Sequence, residues 1–278
     1  MRKRKIVADS SANVFEMENM AFAAAPMKVI TNEREFVDDD KLDVGAMVAW
    51  FDSYKDRSKT SCPNPFDWLE AFGDADEVFC VTITSGLSGS YNSACAAKQM
   101  YEAEHPDRKV CVIDSLSAGP ELVLTIEKLE EYIRQGMPFE DICANIREYT
   151  QKTGLMFILA SLKNFAANGR VPQAVAKIAG VLGIRIVGKA SDQGTLEPTD
   201  KCRGEAKSLS VLFENLKAAG LSKGKVRVAH CMNEKAALEF KSMLQSALGQ
   251  IDITIQECKG LCSYYAEKGG LLVGFEKM

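Results

Sequence analysis

Histidine is nearly absent from this 278-residue chain, which has only His105 and His230. So little imidazole leaves scant material for a metal centre or a nucleophile–base relay, and His230 reads as a structural imidazole ending a strand. Nine cysteines are present, but no two form a C-x-x-C pair, and an odd count suits neither a disulfide framework nor a zinc site. Most lie in apolar runs such as Val78-Phe-Cys-Val81 and Val110-Cys-Val112, where Cys acts as a small hydrophobic residue of a reduced protein. No apolar run approaches the ~18 residues of a transmembrane helix. Basic residues do not outnumber acidic ones, 34 against 38, and the net charge of -4 gives nucleic acid nothing to attract it. The familiar catalytic loops are missing too. Gly86-Leu-Ser-Gly-Ser90 is not G-x-S-x-G, no lysine closes a phosphate loop, and no G-x-G-x-x-G follows a strand. The basic start, Arg2 to Lys5, resembles an export signal, but Asp9, Glu16 and Glu18 interrupt the apolar core that such a signal needs. The expectation is a cytoplasmic protein without a transmembrane segment.

What is present is ordinary for a globular chain: 46% hydrophobic and 26% charged residues, enough for one or two domains. Short apolar runs at Ile6–Ala8, Val78–Ile83 and Val110–Ile113 read as strands buried on both faces. Helical patterns follow at Ser93–Ala103, Glu121–Gln135 and Phe139–Gln151, with Gly136-Met-Pro138 separating the last two. That alternation predicts a parallel sheet covered by helices. A second section begins near Leu155–Leu159, with strands at Ile184–Val187, Val226–Ala229, Ile251–Ile255 and Leu271–Phe275. Its helices fall at Glu205–Ala219 and Ala236–Leu248. The fold class expected is α/β, in two domains: a Rossmann-like one over 1–158 and a second over 159–278.

In open α/β sheets, ligands collect beyond the carboxyl ends of the strands. Three of the expected strands end on small polar residues, at Asp9-Ser-Ser11, Thr84-Ser-Gly86 and Asp114-Ser115. A fourth hydroxyl pair, Thr60-Ser61, begins a proline-stiffened extended loop ending at Pro65. Glycines and hydroxyls at a helix start make an anion cradle, although the same residue types also serve as plain caps and turns. Because the donors are neutral, the pattern favours binding over bond breaking. Asp9 and Asp114 leave open a second reading, a small-molecule enzyme acting on a phosphorylated or carboxylated metabolite.

Read in order, Asp9-Ser-Ser11, Thr60-Ser-Cys-Pro63, Ile83-Thr-Ser-Gly-Leu-Ser-Gly-Ser-Tyr91, Val112-Ile-Asp-Ser115, Gly169-Arg170 and Lys201-Cys-Arg203 resemble the DegV family over nearly the whole chain. The resemblance implies two α/β domains with a tunnel for a long-chain fatty acid at their interface. It also implies a non-catalytic role: the binding subunit of a bacterial fatty acid kinase, presenting the acyl carboxylate to a separate catalytic subunit that makes acyl phosphate. No cofactor or metal is implied beyond the bound fatty acid. Carried over by motif, Thr60, Ser61, Thr84 and Ser85 would bind the carboxylate, with Gly86 and Ser88 shaping the turn. Arg170 and Arg203 would stand near the mouth, for phosphate or partner contacts.

The chain departs from the family pattern at several positions. Cys62 replaces a glutamine, Thr84 a serine, and Asn168 the first glycine of Gly-Gly-Arg. Tyr265-Ala-Glu-Lys-Gly269 stands where the family has His-x-Gly-Pro-Gly. Tyr265 then takes the place of the histidine that contacts the carboxylate, donating a hydrogen bond without positive charge. Glu267 and Lys268 are expected at the mouth, where a different apolar ligand is a further reading. Apolar residues between Val175 and Ile186, namely Ile178, Val181, Leu182 and Ile184, are candidates for the tunnel wall. Burying ~14 methylenes at about 0.8 kcal/mol each gives roughly 11 kcal/mol gross, part of which association takes back.

Overall fold

A computed structural model describes residues 2–174 and 183–277. The first half begins with β1 (Arg4–Asp9), a 3-10 turn over Ser10–Ala12, and β2 (Phe22–Ala25). It continues through β3 (Lys28–Ile30), β4 (Glu35–Val37), α1 (Val44–Ser53), β5 (Lys59–Ser61) and α2 (Pro65–Phe72). Then come β6 (Glu77–Thr82), α3 (Ser90–Glu104), β7 (Lys109–Asp114), α4 (Pro120–Arg134) and α5 (Phe139–Thr150). The second half contains β8 (Thr153–Leu159), α6 (Lys163–Ala167), β9 (Ile184–Ala190), β10 (Leu196–Arg203) and α7 (Glu205–Ala218). It ends with β11 (Val226–His230), α8 (Glu234–Leu248), β12 (Ile253–Glu257), α9 (Gly260–Ala266) and β13 (Leu271–Glu276).

The expected parallel sheet is present in the first half, with strands ordered β2-β1-β6-β7. Alternation along each strand sends side chains to opposite faces. Ile6, Phe79, Val81 and Ile113 face α4 and α5, packing on Leu122, Ile126, Ile142 and Ile146. Val7, Val78, Cys80 and Val110 face α2 and α3, packing on Trp68, Phe72, Ala94 and Tyr101. Both faces are therefore covered, which is why these strands read as unbroken apolar runs. Asn64 caps α2 through a reciprocal box with Asp67, and Pro65 occupies its first turn.

The second half is a six-stranded mixed sheet, β10-β9-β8-β13-β11-β12, in which only β11 and β12 are parallel neighbours. One face, with Met156, Ile158, Val187, Val228 and Val273, packs on α7 and α8. The other, with Phe157, Leu159 and Ile186, turns toward α9, α1 and the first half. All of β8 belongs to this sheet, so a division at 158/159 would cut off a strand. We place the boundary in the short link between α5 and β8. A third, antiparallel sheet, β4-β3-β5, adjoins α9 and carries Thr60 and Ser61.

Candidate functional site

Between the halves lies a cavity of about 310 Å³. Its apolar wall is largely the inward face of the larger sheet. Leu155, Phe157 and Leu159 alternate along β8, flanked by Leu272 of β13 and Leu196 of β10. The first half contributes Met27 and Ile83, and α9 adds Leu261, Cys262, Tyr265 and Ala266. Its volume sits at the lower end of the usual range for small-molecule sites.

The polar part of the lining gathers Thr60, Ser61, Thr84, Ser88, Arg170 and Tyr265. Tyr265 and Thr60 share a hydroxyl–hydroxyl bond of 2.8 Å. Burial pushes the Tyr265 phenol above its ordinary range, so it is neutral and able to donate. The Thr60 N–H donates to Asn168 Oδ1 at 3.2 Å, and Asn168 Nδ2 donates to Tyr264 Oη at 2.9 Å. Thr84 is buried at the end of β6; its N–H donates to Ser117 O at 2.8 Å, while its Oγ1 accepts from Gly86 N at 3.0 Å. That leaves the Thr84 hydroxyl proton free to donate. Arg170 is half-buried, and its Nε donates to the Leu87 carbonyl at 2.9 Å, with a second bond to the Asn168 carbonyl. The guanidinium thus fastens the α6 segment to the turn after β6.

Six of the nine residues carried over by motif or alignment line this cavity: Thr60, Ser61, Thr84, Ser88, Arg170 and Tyr265. Ser85, Gly86 and Arg203 do not. Ser85 is exposed and its N–H donates to Asp114 Oδ1 at 3.0 Å, so it builds the turn from outside. Gly86 meets the second half instead: a Cβ there would lie 2.6 Å from the Gln193 carbonyl. Across from it Gly194, at φ +68°, abuts Thr84 Oγ1 so closely that no side chain could fit. Arg203 is exposed at the far end of β10, whereas Leu196 at the near end lines the cavity. Glu267 and Lys268 also differ from expectation. They line a second, more polar cavity of about 620 Å³, together with Phe51 of α1, Tyr54 just after it, Lys163 and Tyr264. Burial there pushes the Glu267 carboxyl up. Ile184 packs in the core shared by α9 and the larger sheet, while Ile178, Val181 and Leu182 fall outside the described residues.

The two carboxylates of the enzyme reading are occupied within the first half. Asp9 is fully buried, accepting from Ile83 N at 2.8 Å, Ser90 Oγ at 2.6 Å and the Ser11 hydroxyl and N–H. Asp114 accepts from Ser85 and Leu116. Neither lines the cavity. His230 is buried on β11 and its Nδ1 accepts from Asn233 N at 3.3 Å, a structural imidazole as expected. Among the described residues, no cluster of three potential metal ligands occurs and no helix is long and apolar enough to cross a membrane. Residue-level reading missed Met27, Ser117, the β8 face and α9. Only the period-two pattern of Leu155, Phe157 and Leu159 could have signalled any of them.

Comparison with known proteins gives the family and the fold. The model of the DegV family matches residues 3–277. A DegV domain-containing protein of Streptococcus pneumoniae is 42% identical over 276 residues, covering 98% of each chain. Among solved structures, a DegV family protein from Eubacterium eligens loaded with heptadecanoic acid superimposes with a TM-score of 0.97. It is 46% identical, and the match covers 99% of this chain and all of that one. The fatty acid kinase B3 protein of Streptococcus pneumoniae, loaded with linoleic acid, also gives 0.97, at 42% identity over 99% of this chain and 100% of that one.

Proposed function

Because this chain belongs to the DegV family, we propose that it holds a long-chain fatty acid in the cavity between its halves and presents the carboxylate to a separate fatty acid kinase subunit. The observation that carries this reading is the division of one cavity into an apolar wall from β8, β10 and β13 and a hydroxyl-lined region at Thr60, Ser61, Thr84 and Tyr265. The two solved relatives loaded with heptadecanoic and linoleic acid support it. The acyl chain leaves water against Leu155, Phe157, Leu159 and Leu272, the main source of affinity. The carboxylate, costly to desolvate alone, receives hydrogen bonds from neutral hydroxyls that orient it without a buried counter-ion. Arg170 holds loops of the two halves together in the cavity lining, and on this reading it would meet the phosphoryl group.

On this reading the chain supplies position and a dry pocket. The kinase subunit supplies ATP and the phosphoryl transfer, in a cytoplasmic reaction. Native mass spectrometry of freshly purified protein, followed by denaturing lipid extraction, tests it. The expected result is a bound species of fatty-acid mass, or uptake of added palmitate or oleate by the emptied protein. An empty protein that takes up neither overturns the reading.

A further inference from the structure

The helix bearing Tyr265 has only seven residues, yet four of them, Leu261, Cys262, Tyr265 and Ala266, line the acyl cavity. So short a helix has little hold on its own orientation, because its first three backbone N–H groups have no partner within it and few helical bonds follow. What holds its start is a carboxylate from the other half of the protein. Asp38, just beyond β4, is buried, with 1% of its surface exposed. Its Oδ1 accepts from Gly260 N at 2.7 Å and its Oδ2 from Leu261 N at 3.0 Å. The preceding N–H, of Lys259, donates to Asn13 Oδ1 at 2.8 Å, again from the first half. Residue 260 must be glycine for this grip, since a Cβ would lie 2.6 Å from Asp38 Oδ1.

We infer that Asp38 is a positioning residue for the head-group end of the cavity: by holding the first two N–H groups of α9, it fixes the rotation of that helix and hence where Tyr265 meets Thr60. Two anchored N–H groups in succession define an angle about the helix axis, which one would not. Leu261 and Tyr265 are four residues apart and so lie on the same face. Turning the helix start therefore swings both toward or away from the ligand together. The backbone of Asp38 is itself tied to the cavity wall, its N–H donating to Met27 O at 2.8 Å, and Met27 N donates in turn to Ser10 Oγ at 3.0 Å.

The inference rests on the fatty-acid reading, and one set of measurements keeps the two apart. Oleate affinity is measured for wild type, D38A, D38N, Y265F and the double variant D38A/Y265F. Losing two charge-assisted acceptors should weaken D38A about tenfold, with D38N recovering part because one acceptor remains. If Asp38 acts through Tyr265, the double variant binds within about twofold of D38A alone, since misplaced and absent hydroxyls are equivalent. An unchanged D38A, or a double variant losing the product of the two single effects, overturns the inference. Should D38A fail to fold, the D38N and Y265F cycle asks the same question. A wild-type protein that binds no oleate removes the fatty-acid reading itself, an outcome distinct from normal binding with no coupling.

Discussion

The two halves of the protein meet along a seam that is bonded differently at its two sides, by ion pairs at one and by hydrogen bonds to hydroxyls, carbonyls and a single carboxylate at the other. On the side away from the cavity, Arg227 of β11 donates to Glu127 of α4 at 2.6 and 2.8 Å and to Asp252 at 2.9 and 3.1 Å. Lys225 reaches the same Glu127, and Tyr149 donates to Glu276 at 2.7 Å. The Arg227 guanidinium holds Asp252 below the usual carboxylate range. At the cavity the halves are joined by Arg170 to the Leu87 carbonyl, by Tyr265 to Thr60 and by Asp38 to the start of α9, while the hairpin tip touches only through glycine backbone, Gly86 against Gln193 and Gly194 against Thr84. The hairpin tip bonds mainly to itself: Gly194 N donates to Ser191 O at 2.8 Å and Ser191 N to Thr195 O at 2.8 Å. Buried ion pairs often add little net stability over apolar packing, but their directional bonds allow one geometry. Charged side chains thus set the angle between the halves on the side of β11 and α4. On the cavity side the bonds across the seam are made to hydroxyls, carbonyls and the Asp38 carboxylate, and only the hairpin tip closes by plain contact.

The largest effect should come from breaking the ion-paired side. Replacing Arg227 with alanine removes its four charge-assisted side-chain bonds and the packing of its buried stem, while half-exposed Asp252 stays solvated and Glu127 keeps Lys225. The cost should be about 3 kcal/mol, read as a fall of several degrees in Tm. Oleate affinity should stay within about twofold, because Arg227 does not touch the cavity. A variant that keeps its Tm but loses ligand would reverse the assignment of the two sides.

A second effect belongs to Asp38, whose carboxyl burial pushes up to about 6 from 3.8. A carboxyl that titrates higher when folded favours the fold while protonated. Its contribution is complete below the unfolded value and lost as pH rises through about 6, up to about 3 kcal/mol in all. Denaturant unfolding between pH 4 and 7.5 should show that decline in the wild type and a flatter profile in D38N. Parallel profiles would mean that Asp38 carries no such cost.

The smallest effect is at the rim. A Gly194→Ala methyl must displace either the hairpin tip or Thr84, and the left-handed backbone adds strain of about 1 kcal/mol. Oleate should then dissociate several-fold faster, with Tm lowered by only about 2–4 °C. Stopped-flow displacement would detect this, and an unaltered off-rate would show that the rim stays shut while ligand leaves.

Legibility in the sequence followed burial. The strands β1, β6 and β7, covered on both faces, stood out as apolar runs, and the amphipathic helices α4, α5, α7 and α8 were recognisable by their period. Between Phe22 and Phe72 the pattern fails, because β3, β4 and β5 have three residues each, too few to show a period. Helix α9 was invisible for the opposite reason: six of its seven residues are buried, which erases any polar face. Hydroxyl residues were found but could not be sorted. Ser85 and Thr84 are adjacent in one turn, yet one builds it from outside and the other faces the cavity. Arg170 and Arg203 are likewise indistinguishable in the sequence; the segment after α6 holds Arg170 at the cavity, while β10 carries Arg203 to its far end. The family resemblance brought these residues together; spacing alone did not.

Tyr264 and Tyr265 are neighbours on one helix, and a helix turns its successive side chains about 100° apart. Tyr265 therefore looks into the acyl cavity and Tyr264 into the polar one lined by Glu267 and Lys268. Two hydrogen bonds join the chambers through Asn168, whose Nδ2 donates to Tyr264 Oη and whose Oδ1 accepts from the backbone N–H of Thr60. Whatever shifts Tyr264 in its own chamber shifts Asn168, and through it the edge of the strand that offers Thr60 to the other.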